Sequence, residues 1–385
     1  METSDPRATR RRPPEAQRCP VDMEYLMRVM LGLLDIHSPS GYTDRVVHYV
    51  GEELERLGLA VRLTRRGAIR ATIEGEASAP SRSVVGHVDT IGAMVKQLKP
   101  NGRLSVVPVG NWSSRWAEGG RVTIFTDHHG AKRGTILPLK ASGHTFGDEI
   151  DTQPVSWDNV EVRTDDFCRN DKELLARGFE IGNFVAFDAQ PEVTDNGFIN
   201  ARHLDDKAGV AAILAAAKGV LSSAAKVHVD THLLFTISEE VGVGASAILH
   251  GDVAEMVAVD IATPAPGQNS REHGVTIAMA DSSGPFDYHL TRKLLTLCED
   301  FGIEHQRDVF KYYRCDAAAA LEAGNDVRHA LVCFGGDASH GYERTHTEAL
   351  QALAELLAVY IQSPPTFERD RQERAPLEGF PTQPD

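Results

Sequence analysis

The chain has little of what several classes of protein require. Its five cysteines, Cys19, Cys168, Cys298, Cys315 and Cys333, are scattered through 385 residues and form no CxxC pair. That argues against a disulfide framework and a thiolate metal site, and suits reduced thiols in the cytoplasm. No run of about 18 apolar residues is present, so no transmembrane helix is expected. The N-terminus lacks the apolar stretch of a secretory signal. Cations are also scarce: 40 Lys+Arg stand against 55 Asp+Glu, a formal net charge of -15. Phosphate binding needs a basic surface, so neither nucleic acid nor a membrane is expected as partner. The one basic run, Arg7 to Arg12, lies among prolines and is read as a solvated tail.

What the chain does have is apolar material, 42% of its residues, enough for one large domain or two moderate ones. A disordered tail is expected over 1–22 and a helical segment over 23–35. Ser38-Pro39-Ser40-Gly41 marks a turn. Val47, Val50, Leu54 and Leu57 share one face of a second helix, with Gly58 placed to cap it. Residues 59–74 read as a hairpin, and Ser83 to Val88 as a buried strand running into His87 and Asp89. Segment 95–190 changes texture. It holds all three tryptophans, Trp112, Trp116 and Trp157, with short β-like runs at 121–126 and 183–188, and is read as an inserted β-rich domain. Beyond residue 200 come an alanine-rich helix from Asp206 to Leu221, a strand with Val227 to Ile237 alternating onto one face, a short apolar run from Met256 to Ile261, and a helix over 287–302. A last helix follows His346, with Leu350, Leu353, Leu357 and Ile361 in one stripe and Pro364-Pro365 as its stop. Residues 364–385 are read as a second disordered tail. The fold expected is α/β: a mixed-sheet domain with helices on both faces, split into 23–94 and 191–363 around the insert.

Polar residues stand at the ends of the apolar runs: His87-Val88-Asp89, Asp205-Asp206, Glu239-Glu240 and Asp260, with His346 ahead of the last helix. Ligand sites in open α/β sheets lie outside the carboxyl ends of the strands. Each group alone has an ordinary structural reading, as a core histidine, a helix cap or a solvated strand end. Together, imidazoles and carboxylates are the ligands of Zn²⁺, Mn²⁺ and Co²⁺. Two histidines and three carboxylates hold two metals if one carboxylate bridges, and the Glu-Glu pair offers one ligand and one general base.

In this order the motifs resemble the M42 metallo-aminopeptidases of the glutamyl and deblocking type, over about residues 25–362. The stretches carrying the resemblance are Ser38-Pro39-Ser40-Gly41-Tyr42, Gly86-His87-Val88-Asp89-Thr90-Ile91-Gly92, Val107-Pro108-Val109-Gly110-Asn111-Trp112, Gly182 to Asp188, Ala201 to Gly209, Glu239-Glu240-Val241-Gly242 and Arg344-Thr345-His346-Thr347-Glu348. More narrowly, the chain resembles the branch associated with the osmolyte N-acetylglutaminylglutamine amide. The resemblance implies two divalent metal ions per subunit, zinc first, cobalt or manganese otherwise. His87, Asp205 and Asp260 would hold one ion, and Asp205, Glu240 and His346 the other. Glu239 would act as general base, and the Asp89 carboxylate would orient the His87 imidazole. His340 competes for the last ligand place, which the motif around it assigns to His346. The insert would be PDZ-like and drive dimer-based assembly, up to dodecamers. Thr90, Thr347, Ser238 and Arg314-Cys315 depart from the family pattern and point to a narrower substrate. The expected activity is hydrolysis of the N-terminal bond of a short peptide or a dipeptide-like amide. Removal of an acyl cap from a blocked dipeptide osmolyte is the alternative enzyme reading, and a non-catalytic assembly protein the alternative outside enzymes.

Overall fold

A computed structural model describes residues 16–249 and 253–384. Most of the first tail, residues 1–15, lies outside the described residues, as do 250–252 and 385. Four parallel strands form the centre of the main sheet: Val229–Thr236, Ala77–His87, Val253–Ala262 and Arg328–Gly335, in that spatial order. The antiparallel hairpin Val61–Leu63 and Ile69–Ile73 extends one side. Val275–Asp281, antiparallel to Arg328–Gly335, extends the other and pairs in turn with Gly284–Pro285 and His305–Val309. The sheet is therefore mixed.

Successive residues of the central strands point into two separate cores. Val84, Leu233, Phe235, Val257 and Val332 face one side, against the helices Met23–Leu34, Asp44–Arg56, Leu204–Ser222, Tyr288–Phe301 and Thr347–Gln362. Val85, Leu234, Met256, Ala258 and Leu331 face the other, against the helix Asp316–Glu322 and the short turn Gly244–Ala247. The strand Val229–Thr236 is thus buried on both faces, where alternation suggested a single apolar face. Parallel strands covered on both sides have this character.

Six strands between residues 92 and 187 close into a barrel of their own: Gly92–Leu98, Leu104–Val109, Val160–Thr164, Ala131–Pro138, Arg121–Phe125 and Phe184–Phe187. The barrel has a separate apolar core that includes Val95, Leu104, Val122, Ile136, Val162 and Trp112. It leaves the main sheet at Gly92, directly after the His87 strand.

A third, small sheet has no counterpart in the sequence reading. Glu192–Val193, Phe198–Ala201 and Glu343–His346 pair antiparallel beside the start of the alanine-rich helix. The described parts of both terminal segments make contacts with the body. Cys19 is buried on the main core, and Asp22 caps the first helix by accepting from the Tyr25 amide. At the other end, Arg328 pairs with Asp370 and lies over the Phe367 ring, which itself packs on His289. An ion pair and two ring contacts join this stretch to the body.

Candidate metal centre

The site forms where three parallel strands end. His87 is the last residue of its strand, Asp260 lies near the end of the neighbouring one, and Glu239-Glu240 follows Thr236 in a single 3-10 turn. Asp205 comes from the first turn of the alanine-rich helix, which packs across these ends, and the Asp205–Asp206 peptide is cis. The helix approaches closely because residue 86 is glycine: a Cβ there would lie 2.8 Å from Asp206 Oδ2 and 2.9 Å from Ile213 Cδ1. The residue after Asp206, Lys207, is buried, its ammonium donating to the carbonyls of Leu33 and Ile36, which ties this helix to the end of the first.

Two ligand-like clusters share Asp205. His87, Asp205 and Asp260 bring one donor atom each within 4.8 Å of one another, and so do Asp205, Glu240 and His340. His87 Nε2 stands 3.0 Å from Asp205 Oδ1, while His340 Nε2 stands 3.2 Å from Glu240 Oε2 and 3.6 Å from Asp205 Oδ2. In both imidazoles Nδ1 faces a backbone carbonyl, of Asp89 at 2.9 Å and of Asn111 at 3.2 Å. A carbonyl only accepts, so Nδ1 carries the proton and the Nε2 lone pair is free to ligate when the ring is neutral.

His346, the residue expected as the last ligand, lies apart from Asp205 and Glu240. Its Nδ1 accepts from the Glu348 amide at 3.2 Å as the cap of the final helix, and its Nε2 donates to the Asn196 carbonyl at 2.9 Å. Both ring nitrogens are thus engaged in holding backbone. A second cluster-like grouping of His346 with His273 and Glu348 exists, but it uses this same occupied imidazole. The motif around His346 directed attention to this loop, but His346 itself does not join the Asp205–Glu240 cluster. The residue that meets Asp205 and Glu240 lies six positions earlier, in a turn where Ala338 and His340 both have positive φ.

The Asp89 expectation is corrected in the same manner. Its backbone carbonyl, not its carboxylate, orients His87; the carboxylate oxygen is 3.7 Å from Nδ1. That carboxylate instead accepts from the amides of Glu239 at 3.1 Å and Glu240 at 3.4 Å and from Ser40 Oγ at 2.5 Å. It fixes the bend that lets two neighbouring glutamates serve different places. Glu240 is further fixed by the Ile91 amide, 3.1 Å from Oε1.

Glu343 was not singled out from the sequence. It is buried in the third sheet and accepts from the amides of Asp205 at 3.1 Å and His340 at 2.9 Å, so one carboxyl anchors the backbone of both clusters. Ser339 Oγ donates to Asp205 Oδ2 at 3.1 Å. Only strand pairing between residues 198–201 and 343–346 brings Glu343 here, and no local pattern announces it.

The electrostatics fit cations. Burial would raise the Asp205 carboxyl, but the His87 and His340 imidazoles more than offset it and hold its pKa at about 2. Asp206, Glu239 and Asp260 are pushed well above the usual carboxylate range, chiefly by burial and also by neighbouring carboxylates, against the lowering effect of His87. Glu343 is raised to about 8 and Asp316 to about 7, chiefly by burial. Burial lowers His340, yet Glu240 and Asp205 outweigh it and bring it to about 10. Asp206 Oδ1 is buried with no hydrogen-bond partner. So many carboxyls with so few counter-charges is a cost that divalent cations among oxygen and imidazole donors would relieve. Beside the clusters is a cavity of about 700 Å³, lined among others by Glu239, Val241, Tyr312, Arg314 and Asn111.

Comparisons with known proteins identify the family. The profile of the M42 glutamyl aminopeptidase family matches residues 67–356. The Bacillus subtilis (strain 168) protein YhfE is 36% identical over 340 residues, covering 88% of this chain and 97% of its own. A lysyl aminopeptidase from Pyrococcus furiosus is 27% identical over 230 residues, 58% of this chain and 60% of its own. Among solved structures, a TET aminopeptidase from a marine sediment archaeon of the Thaumarchaeota superimposes with a TM-score of 0.80 at 18% identity, covering 88% of this chain and 96% of the other. The Pyrococcus horikoshii TET1 peptidase, described as assembling into a tetrahedron or a large octahedral shell, gives 0.77 at 22% identity over 87% and 98%. A profile that spans most of the chain, and a relative similar along nearly its whole length, establish that the chain belongs to the M42 peptidase family and is a metallo-aminopeptidase, a hydrolase.

Proposed function

We propose that the chain is a dinuclear aminopeptidase acting on short peptides. The observation that carries this reading is the pair of three-residue clusters sharing Asp205, with Glu239 beside both. His87 and Asp260 would complete one ion's protein ligands, and Glu240 and His340 the other's, with Asp205 between them. Divalent cations in these places supply Lewis-acid polarisation of a carbonyl and acidify water. Glu239, the one acid of the set left free of a ligand role, takes the proton from water and returns it to the leaving amine. Burial raises its proton affinity, which suits a group that must both accept and release. Asp89 holds the Glu239 backbone so that its carboxyl reaches the cavity. Zinc is the first candidate, cobalt or manganese the next.

The barrel is proposed as the assembly module of a homo-oligomer. Support comes from the TET relatives, one of which is described as a dodecamer. Five free thiols and the absence, among the described residues, of a helix able to cross a membrane suit a cytoplasmic enzyme. The deciding assay strips the protein with chelator and restores Zn²⁺, Co²⁺ or Mn²⁺. It then measures amine release from dipeptides, dipeptide amides and their N-acetylated forms, with metal stoichiometry read in parallel. Metal-dependent cleavage of free N-termini supports the proposal. Cleavage confined to blocked substrates would instead make the enzyme a deacylase of the osmolyte type. Failure to bind any divalent ion would sink both.

A further inference from the structure

The cavity beside the clusters is acidic at its floor, where Asp205, Glu239, Glu240 and Asp260 lie, and carries a single guanidinium, that of Arg314. The segment bearing it is fixed on both sides. Tyr313 before it is half-buried against the core, Cys315 after it is buried, and Asp316 is buried with Thr236 Oγ1 donating to both its carboxyl oxygens at 3.0 Å. Arg314 is therefore held on the cavity wall by its neighbours rather than by its own contacts. Its partner is Glu322 on the following helix, at 2.8 Å, and both side chains are about half exposed, 46% and 60%. Such an exposed, solvent-screened pair is weak and is readily exchanged for another carboxylate. A guanidinium is also the side chain best matched to a carboxylate, through two parallel N–H donors.

We propose that Arg314 is a specificity-determining residue that binds the terminal carboxylate of the residue released on cleavage, so that the preferred substrates are free dipeptides. This rests on the aminopeptidase reading above and narrows it. The place of Arg314 favours the leaving side. The base must stand next to the leaving nitrogen, and Arg314 lines the same cavity as Glu239. A carboxylate one residue beyond the scissile nitrogen would then meet the guanidinium, leaving Glu322. A carboxylate on the first residue's side chain shares the same chemistry but would sit on the opposite side of the scissile bond.

The test compares Ala-Ala, Ala-Ala amide and Glu-Ala amide as substrates of the metal-loaded wild type, Arg314→Ala and Glu322→Gln. Arg314→Ala is expected to lower kcat/KM for Ala-Ala by about 10- to 100-fold, the usual weight of a charge-assisted hydrogen bond, and to leave Ala-Ala amide within about twofold. Glu322→Gln frees the guanidinium and is expected to lower KM for Ala-Ala by up to about fivefold, with no change for the amide. Equal losses on Ala-Ala and its amide would assign Arg314 a structural role and overturn the proposal. So would no loss on either, or a loss confined to Glu-Ala amide. Wild-type protein that cleaves acid and amide alike, with Arg314→Ala unchanged, would remove this inference and leave the aminopeptidase standing. Wild type that cleaves none of them with metal bound would remove the reading on which it rests.

Discussion

Replacing Glu239 by Gln keeps the size and the backbone bonds of the side chain and removes its capacity to accept a proton. Activity is expected to fall by about 10²–10⁴-fold, with metal content unchanged. A variant that retains full turnover would take Glu239 out of its role. The two histidines separate just as sharply. His340→Ala should cost one of two bound metal equivalents, because it removes a nitrogen whose lone pair faces Glu240 and Asp205. His346→Ala should keep both equivalents and lower stability by about 1 kcal/mol, the usual cost of a lost helix cap. Metal analysis and thermal melts of the two variants decide the matter, and the reverse pattern would restore the ligand that sequence motifs favoured. The sequence named both histidines as candidates and its motif favoured His346, because a motif does not show which ring nitrogens the backbone already uses.

At the scale of elements, the end of the final helix is secured by a buried charge cluster remote from the site. Glu255 accepts from Tyr360 Oη at 3.0 Å and from the Thr366 amide, with Lys293 Nζ at 3.4 Å. Arg82, fully buried, donates to the Tyr360 carbonyl and lies over its ring. Burial would raise the Glu255 carboxyl, but Lys293 and Arg82 outweigh it and hold its pKa at about 2. A carboxyl lowered on folding contributes stability above its unfolded pKa, and that contribution is lost as pH falls through the folded value. Unfolding should therefore become easier between about pH 4.5 and 2. Glu255→Gln should be less stable than wild type by about 3–5 kcal/mol at pH 7, since it strands buried cations. Denaturant melts across that range should show the gap closing toward pH 2, and a gap independent of pH would refute the linkage. Helices and hairpins here were legible from apolar spacing, as with Asp44–Arg56 and its Gly58 stop at φ 84°. The small sheet joining residues 198–201 to 343–346 was not, because its partners are far apart in sequence and each strand is only four residues long.

For the whole molecule, ions bound only by the folded state stabilise it by mass action. Chelated protein is expected to melt about 5–10 °C below protein saturated with metal, consistent with about 3–4 kcal/mol at a hundred to a thousand times Kd. Identical melts with and without metal would mean that the clusters hold no ion. The barrel supplies a second prediction at this scale. With assembly through it, the purified protein should sediment well above the 42.0 kDa of one chain, and a monomer at micromolar concentration would contradict the assembly role.

By itself the sequence determined the α/β class, the β-rich segment near 95–190, and most of the residues that converge: His87, Asp205, Glu239, Glu240 and Asp260. These are legible because chemistry at the carboxyl ends of strands leaves a local mark, a polar pair directly after an apolar run. The tertiary structure alone decided that His340 rather than His346 meets Asp205 and Glu240. It alone gave Asp89 the amides of Glu239 and Glu240, and set Glu343 beneath both clusters. Those assignments rest on hydrogen bonds between segments up to about 150 residues apart, and a motif read along the chain carries no information about which donor a distant carboxyl will find.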